Sequence, residues 1–354
     1  MTADVRQEDQ GHGEGHDPGP HGLPFVFAWF RRHWVAFWFA ALSAYWLFLI
    51  AQPGSALMAD VYLVATRRWL DGLDPWTLPY EGWFAAPPIT LLPMVPFAIL
   101  PFGRWLLLVV AIASGIATIR LLRLPWYWIM FPPLVISMAG AGIDAWILPL
   151  ILMGHGWLAV LGKLYAAVPL ALLGRWRPLV IAGIVILVTA PSLPWGAYFA
   201  QFPTIQRHLV EQAQDLSAPL YLMPVAIVAL LVMGRDRAAW MAVPALWPST
   251  QLYYNTIALP ALTPLAAALL AVPSPWCTVG ACVVLAVQTK HEARVASKVR
   301  QLPPTPPGAS TQDVTARPRP SIALPPGAWP GRIRAKDLRW PRHDVDDSWP
   351  GSGG

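Results

Sequence analysis

Between residues 60 and 88 the chain reads DVYLVATRRWLDGLDPWTLPYEGWFAAPP, and Asp60, Arg67, Arg68, Asp71, Asp74 and Glu81 gather there between two apolar segments. On a helix Asp60 and Arg67, seven residues apart, share a face, because seven residues make close to two turns. Arg67 and Asp71 stand at i,i+4, where opposite charges attract. By residue type alone the stretch reads as a solvated helix beside a membrane, its charges paired with one another and with lipid headgroups. Lys163 is a second candidate, in the middle of the apolar run 145–173. An ionisable group there is costly and marks function by default, although a lysine near a span end also snorkels to the interface. Asp144 and His155 are eleven residues apart, about three helical turns. On one continuous helix they would share a face and line a cavity or relay protons; the plainer readings are a solvated Asp and a packing His. Tyr253, Tyr254 and Asn255 fit hydrogen bonding to a sugar and fit an interfacial aromatic belt equally.

The elements that must position these groups follow from composition. Hydrophobic residues make up 56% of the chain and charged residues only 12%, against roughly 25% charged in soluble domains. Residues 34–51, WVAFWFAALSAYWLFLIA, are 18 in a row without a charge, about the length that crosses a bilayer. Residues 238–289 contain no Asp, Glu, Lys, Arg or His. The expected class is therefore all-α, a polytopic membrane protein of about eight (8–10) transmembrane helices. The crossings are expected at 34–51, 88–119 (broken), 125–143, 145–173 (broken), 178–197, 218–234, 238–252 and 258–288 (broken). In PITLLPMVPFAILPFG four prolines fall within sixteen residues, so no straight helix is expected there. The polar residues that precede the first apolar run argue for a retained first span rather than a cleaved signal.

The domain reading is a disordered tail at 1–22, a transmembrane domain at 23–288, and a Pro/Arg-rich disordered tail at 289–354, where eleven prolines fall between 301 and 354. Arg31 and Arg32, Arg120 and Arg123, Arg175 and Arg177, Arg235 and Arg237, and Lys290 recur at alternate span ends. By the positive-inside rule this puts both tails in the cytoplasm, and 52–87, 198–217 and the turn at 251–256 outside. Cys277 and Cys282 have neither disulfide-framework nor metal-site spacing. No metal motif or phosphate-cradling glycine loop stands out. The net charge of +6 suits anionic lipid better than nucleic acid, which is not an expected partner.

The pattern D-x-Y-x-x-A-x-x-x-L-x-G-x-D-P-W from Asp60 to Trp76, followed by FAAPP and a Pro-broken apolar run, resembles the first external loop of the polyprenol-phosphate-mannose-dependent mannosyltransferases, glycosyltransferase family 87, of the GT-C fold. FPPLVISMAGAGID (131–144), GKLYAAVPLALLGRWR (162–177) and WPSTQLYYNTIALPAL (247–262) are similar to later segments of that family in the same order, so the resemblance covers roughly 60–262. Two departures stand out: Ile143 and Ala145 flank Asp144 where the family has Gln and Asn, and Tyr253 and Tyr254 stand where it commonly has His.

The resemblance implies a GT-C-like fold in the plasma membrane of a bacterium, with an extracytoplasmic active site. It implies transfer of a hexose, mannose by analogy, from a polyprenyl-phosphate-linked donor to a glycan or glycolipid acceptor of unknown identity. No cofactor is implied; the lipid-linked sugar is the donor substrate, and the bilayer is the other partner. Asp60 would be the general base. Arg67, Arg68 and Lys163 would meet the donor phosphate, and Asp144, Tyr253 and Tyr254 would complete substrate binding. Arg207, His208 and Glu211 in FPTIQRHLVEQAQD read as a short amphipathic surface helix, with acceptor binding as the other reading. Two alternatives stay open: a transporter or channel with Asp144, His155 and Lys163 along its pathway, and a GT-C-fold scaffold without activity.

Overall fold

In the computed structural model the described residues are 23–52, 58–77, 84–211, 216–248 and 250–300. Both expected disordered tails, apart from 289–300, lie outside them, as does Glu81. The chain divides into two units, residues 1–34 and 35–354. The first contributes the N-terminal turns of helix α1 (Leu23–Ile50); the second holds the rest.

Helices make up the architecture, with no strand among the described residues. Proline and glycine cut the apolar runs into pieces. After α1 come α2 (Met58–Leu70), α3 (Leu91–Ile99) and α4 (Gly103–Leu121). Pro101 and Gly103 make the α3–α4 corner so tight that a Cβ on Gly103 would sit 1.7 Å from the carbonyl oxygen of Phe97. Helices α5 (Pro132–Ala139) and α6 (Asp144–Leu152) meet at a 115° bend, with Ala141 at φ 48°. Gly154, at φ 91°, then ends α6 as only glycine does without strain, and the N–H of His155 closes on the carbonyl of Leu150 at 2.8 Å. Next are α7 (Gly156–Gly162), α8 (Ala167–Leu172), α9 (Trp176–Thr189), α10 (Trp195–Glu211), α11 (Met223–Met233) and α12 (Arg235–Leu246). A ten-residue 3-10 helix, Leu252–Ala261, precedes α13 (Pro264–Leu270) and α14 (Pro275–Arg300).

Judged by helix length and apolarity alone, the described residues reach fewer crossings than the eight expected. Among the described residues two helical stretches are long and apolar enough to cross a membrane, His33–Ile50 and Gly103–Leu121, and a third is reached if the bent α5–α6 pair is one broken crossing. The run 145–173 is three short helices. The boundary expected at 288 falls inside α14, whose residues 289–300 continue the helix rather than opening the tail. Arg237 secures that extension, bonding the hydroxyl of Thr289 at 2.6 Å and the carboxylate of Glu292 at 3.4 Å.

The core is aromatic and aliphatic. Phe39 of α1 lies 5.4 Å from Trp128 and 5.3 Å from Phe131 between ring centres. The hydroxyl of Ser43 donates to the Met130 carbonyl at 2.7 Å. Tyr62, Trp76, Phe84, Leu91, Met94 and Leu107 close a second region between α2, α3 and α4. Outside, α9 turns Val180, Ile184, Leu187 and Val188 outward at i, i+4, i+7 and i+8, with Leu187 75% exposed. An apolar stripe on the outer surface of a helix is the inverse of the soluble pattern.

Candidate functional site

The sequence-derived candidates separate into two groups on opposite faces of α2. Asp60 stands in the first turn of α2, where a carboxylate is favoured by the helix dipole. Its Oδ1 is 3.7 Å from Nε of Arg104, and both side chains keep solvent access, at 35% and 50% exposed. Gly103 places Arg104 at the head of α4. Arg67, on the same face of α2 as Asp60, gives its Nε–H to the carbonyl of Ala98 at 2.8 Å, at the end of α3. The ion pair at this edge is therefore Asp60–Arg104, with Arg67 turned to the α3 backbone rather than to Asp71.

Arg68 is engaged differently: its Nε–H donates to the backbone oxygen of Asp74 at 2.9 Å. The Asp74 carboxylate in turn accepts from the N–H of Trp76 at 3.0 Å, the hydroxyl of Thr77 at 2.7 Å and the side-chain amide of Gln201 at 3.4 Å. These bonds close the turn after α2 and tie it to α10. Much of the charge in the opening stretch is thus used to fold it.

The second group is buried. Asp144, 2% exposed, is the first residue of α6, delivered there by the α5–α6 bend. The Nζ of Lys163 lies 3.5 Å from its Oδ2, and the hydroxyl of Tyr165 donates to its Oδ1 at 2.9 Å. Lys163 sits in extended backbone between α7 and a 3-10 turn, φ −150° and ψ 122°, which aims its side chain inward instead of along a helix. Its ammonium is 5.8 Å from the ring centre of Tyr62 and 5.9 Å from that of Tyr254, within cation–π range. Tyr254 packs 4.5 Å from Tyr165 and 4.9 Å from Tyr253. Burial pushes the Tyr62 hydroxyl up to about 12, against the pull of the Lys163 ammonium. Burial likewise raises Tyr253 and Tyr254 above the usual phenol range.

Asp144, Lys163, Tyr253 and Tyr254 therefore belong together, whereas Asp60, Arg67 and Arg68 lie apart from them. Tyr62 and Asp60 are two residues apart on α2, about 200° around its axis, so the buried group lies behind the helix that carries Asp60. His155 is exposed at the start of α7 while Asp144 is buried. Their expected common face is lost because the Gly154 turn interrupts the helix. Arg207 is exposed on α10, which covers most of the surface helix expected in FPTIQRHLVEQAQD (202–215) and starts before it, at Trp195; the side chains of His208 and Glu211 lie outside the described residues.

Sequence reasoning missed Arg104, Tyr62 and Tyr165 as partners. Each had a signal: Arg104 is a lone cation in PFGRW between two apolar runs, and Tyr62 and Tyr165 each stand two residues after a residue singled out. Among the described residues no three His, Cys, Asp or Glu side chains gather as metal ligands. Comparison with known families, curated proteins and solved structures finds no match.

Proposed function

We propose that the chain is an integral membrane glycosyltransferase of GT-C type, transferring a hexose from a polyprenyl-phosphate donor to an extracytoplasmic glycan or glycolipid acceptor. The observation that carries this reading is the Asp60–Arg104 edge: a solvent-reachable carboxylate 3.7 Å from a guanidinium at the head of a 19-residue apolar helix, with Arg67 on the same face of α2. The outward apolar stripe on α9 supports the membrane setting, and the resemblance of residues 60–262 supplies the reaction class and mannose as the sugar.

In this reading Asp60 takes the proton of the acceptor hydroxyl as its oxygen attacks the anomeric carbon. The bond from that carbon to the phosphate oxygen breaks, and the phosphate leaves with the electron pair. A phosphate leaves without a protein acid; what it needs is cationic charge near its oxygens. Arg104 and Arg67 supply it, since a guanidinium forks onto two phosphate oxygens. Arg67 spends its Nε–H on Ala98 and keeps both Nη groups for this. Arg68 holds the loop instead. The Asp144–Lys163–tyrosine group braces α2 from behind: Tyr62 is on α2, Asp144 on α6, and Tyr254 on the 3-10 helix.

A second reading, an ion or proton pathway, is favoured by one observation, the buried Asp144–Lys163 pair in an otherwise apolar interior. Transfer from radiolabelled polyprenyl-phosphate-mannose to membrane acceptors, for wild type and Asp60→Asn at equal expression, tests the choice. The expected result is transfer by the wild type and loss of about 10²–10⁴-fold in the variant, the usual worth of a general base. Equal transfer by both would remove Asp60 from the chemistry.

A further inference from the structure

At the far end of α4 from Arg104, about 24 Å along the axis at 1.5 Å per residue, lies a groove of about 460 Å³. Ile116 and Ile119 of α4 and Ile129 of the following 3-10 turn form its walls. Arg120, Arg123 and Trp126 form its rim, all three exposed, Trp126 by 77%. No Asp or Glu occurs from Arg104 to Ile143, and none lines the groove, so Arg120 and Arg123 are the charges that it presents.

The groove does not end at its rim. Trp105, Val109, Ile112 and Ile116 are exposed at successive helical spacings, and the same stripe runs on to Arg120 and Arg123. A charged head followed by a long apolar track is the shape of a lipid, not of a soluble anion. The backbone adds a second sign. Arg123 ends α4 at φ 52°, where the N–H of Leu124 bonds the carbonyl of Ile119 and glycine is the residue without strain. An arginine is held there against its backbone preference.

We propose that this groove binds one anionic phospholipid, its phosphate between Arg120 and Arg123 and an acyl chain along Ile116, Ile112 and Val109. Two guanidiniums on one phosphate give charge-assisted bonds that a zwitterionic headgroup, carrying its own cation, weakens. Trp126 sits at the depth of the headgroups, where indoles collect. The site rests on the membrane reading above and not on sugar transfer.

The test is the thermal stability of the purified full-length chain in detergent, titrated with short-chain phosphatidylglycerol, with phosphatidylcholine of the same chain length, and with inorganic phosphate. Phosphatidylglycerol is expected to raise the Tm of the wild type well beyond the other two. Arg123→Gly should keep the Tm of the lipid-free protein, because glycine suits that backbone, yet lose much of the gain. Arg120→Gln/Arg123→Gly should bind roughly thirtyfold more weakly, the equivalent of about 1 kcal/mol per arginine at an anionic surface.

Equal gains from both lipids would overturn the proposal, as would an unchanged gain in the double variant. An equal gain from inorganic phosphate would replace the lipid with a soluble anion. Alkaline carbonate washing of membranes separates the two levels. A chain released by it fails as a membrane protein and takes this site with it. A chain retained but without preference for phosphatidylglycerol loses this site alone.

Discussion

Asp60 and Asp144 are both carboxylates beside a cation, but the first keeps solvent access and the second is buried. Asp60 keeps solvent access, so its pairing with Arg104 contributes on the order of 1 kcal/mol or less to stability. Neutralising it should leave the fold intact while removing the base of the proposed reaction. Asp144 is desolvated, and a lone charge left there is expensive. Lys163→Met is expected to lower unfolding stability by about 3–5 kcal/mol, and adding Asp144→Asn should recover part of that loss, because the double change removes both buried charges. Thermal unfolding of the single and double variants decides it: a double variant less stable than the single would mean the pair is not the brace. Lys163 and Asp144 were legible as costly ionisable groups in an apolar run. Their partnership was not, because it depends on a bend at Gly140–Ile143 and an extended residue at 163, neither of which periodicity encodes.

At the scale of elements, the corner between α3 and α4 sets the site. Gly103 has no room for a Cβ, which would meet the backbone oxygen of Phe97 rather than a side chain able to turn aside. Gly103→Ala should therefore shift the start of α4 and carry Arg104 away from Asp60. The expected outcome is a lower Tm together with a loss of transfer per folded molecule; unchanged values of both would separate the corner from the site. The four prolines of residues 88–103 announced a break in the sequence, and α3 followed by α4 is that break. The helix expected in FPTIQRHLVEQAQD lies in α10. The long runs were harder to read. The run 145–173, expected as a broken crossing, is divided at Gly154 and at the extended Lys163, and hydropathy averaged over such a length does not say where a single left-handed residue falls.

Across the whole molecule, the residues that face outward are as informative as the core. The stripe Val180, Ile184, Leu187 and Val188 on α9 has nowhere to hide in water. If it lies in hydrocarbon, Leu187→Lys carries an insertion penalty of roughly 2.5–3.5 kcal/mol near the bilayer centre. The variant should accumulate less in carbonate-washed membranes than wild type; equal retention would place that stripe against something other than lipid. Composition made the all-helical class legible from the start. The number of crossings was not legible, because short helices and bends use apolar residues as freely as straight spans do. The division of the polar residues into an open edge and a buried brace was also beyond the sequence, since it turns on which side of α2 each residue takes.

The most direct test compares transfer per folded molecule in Asp60→Asn and Asp144→Asn, using labelled polyprenyl-phosphate-mannose and protein quantified by fluorescence size exclusion. If Asp60 is the base and Asp144 the brace, the first variant folds in wild-type amounts and transfers nothing measurable. The second yields less folded protein, and what folds retains activity. A fully folded but inactive Asp144→Asn beside an active Asp60→Asn would contradict that assignment and move the chemistry into the buried tyrosine-lined group.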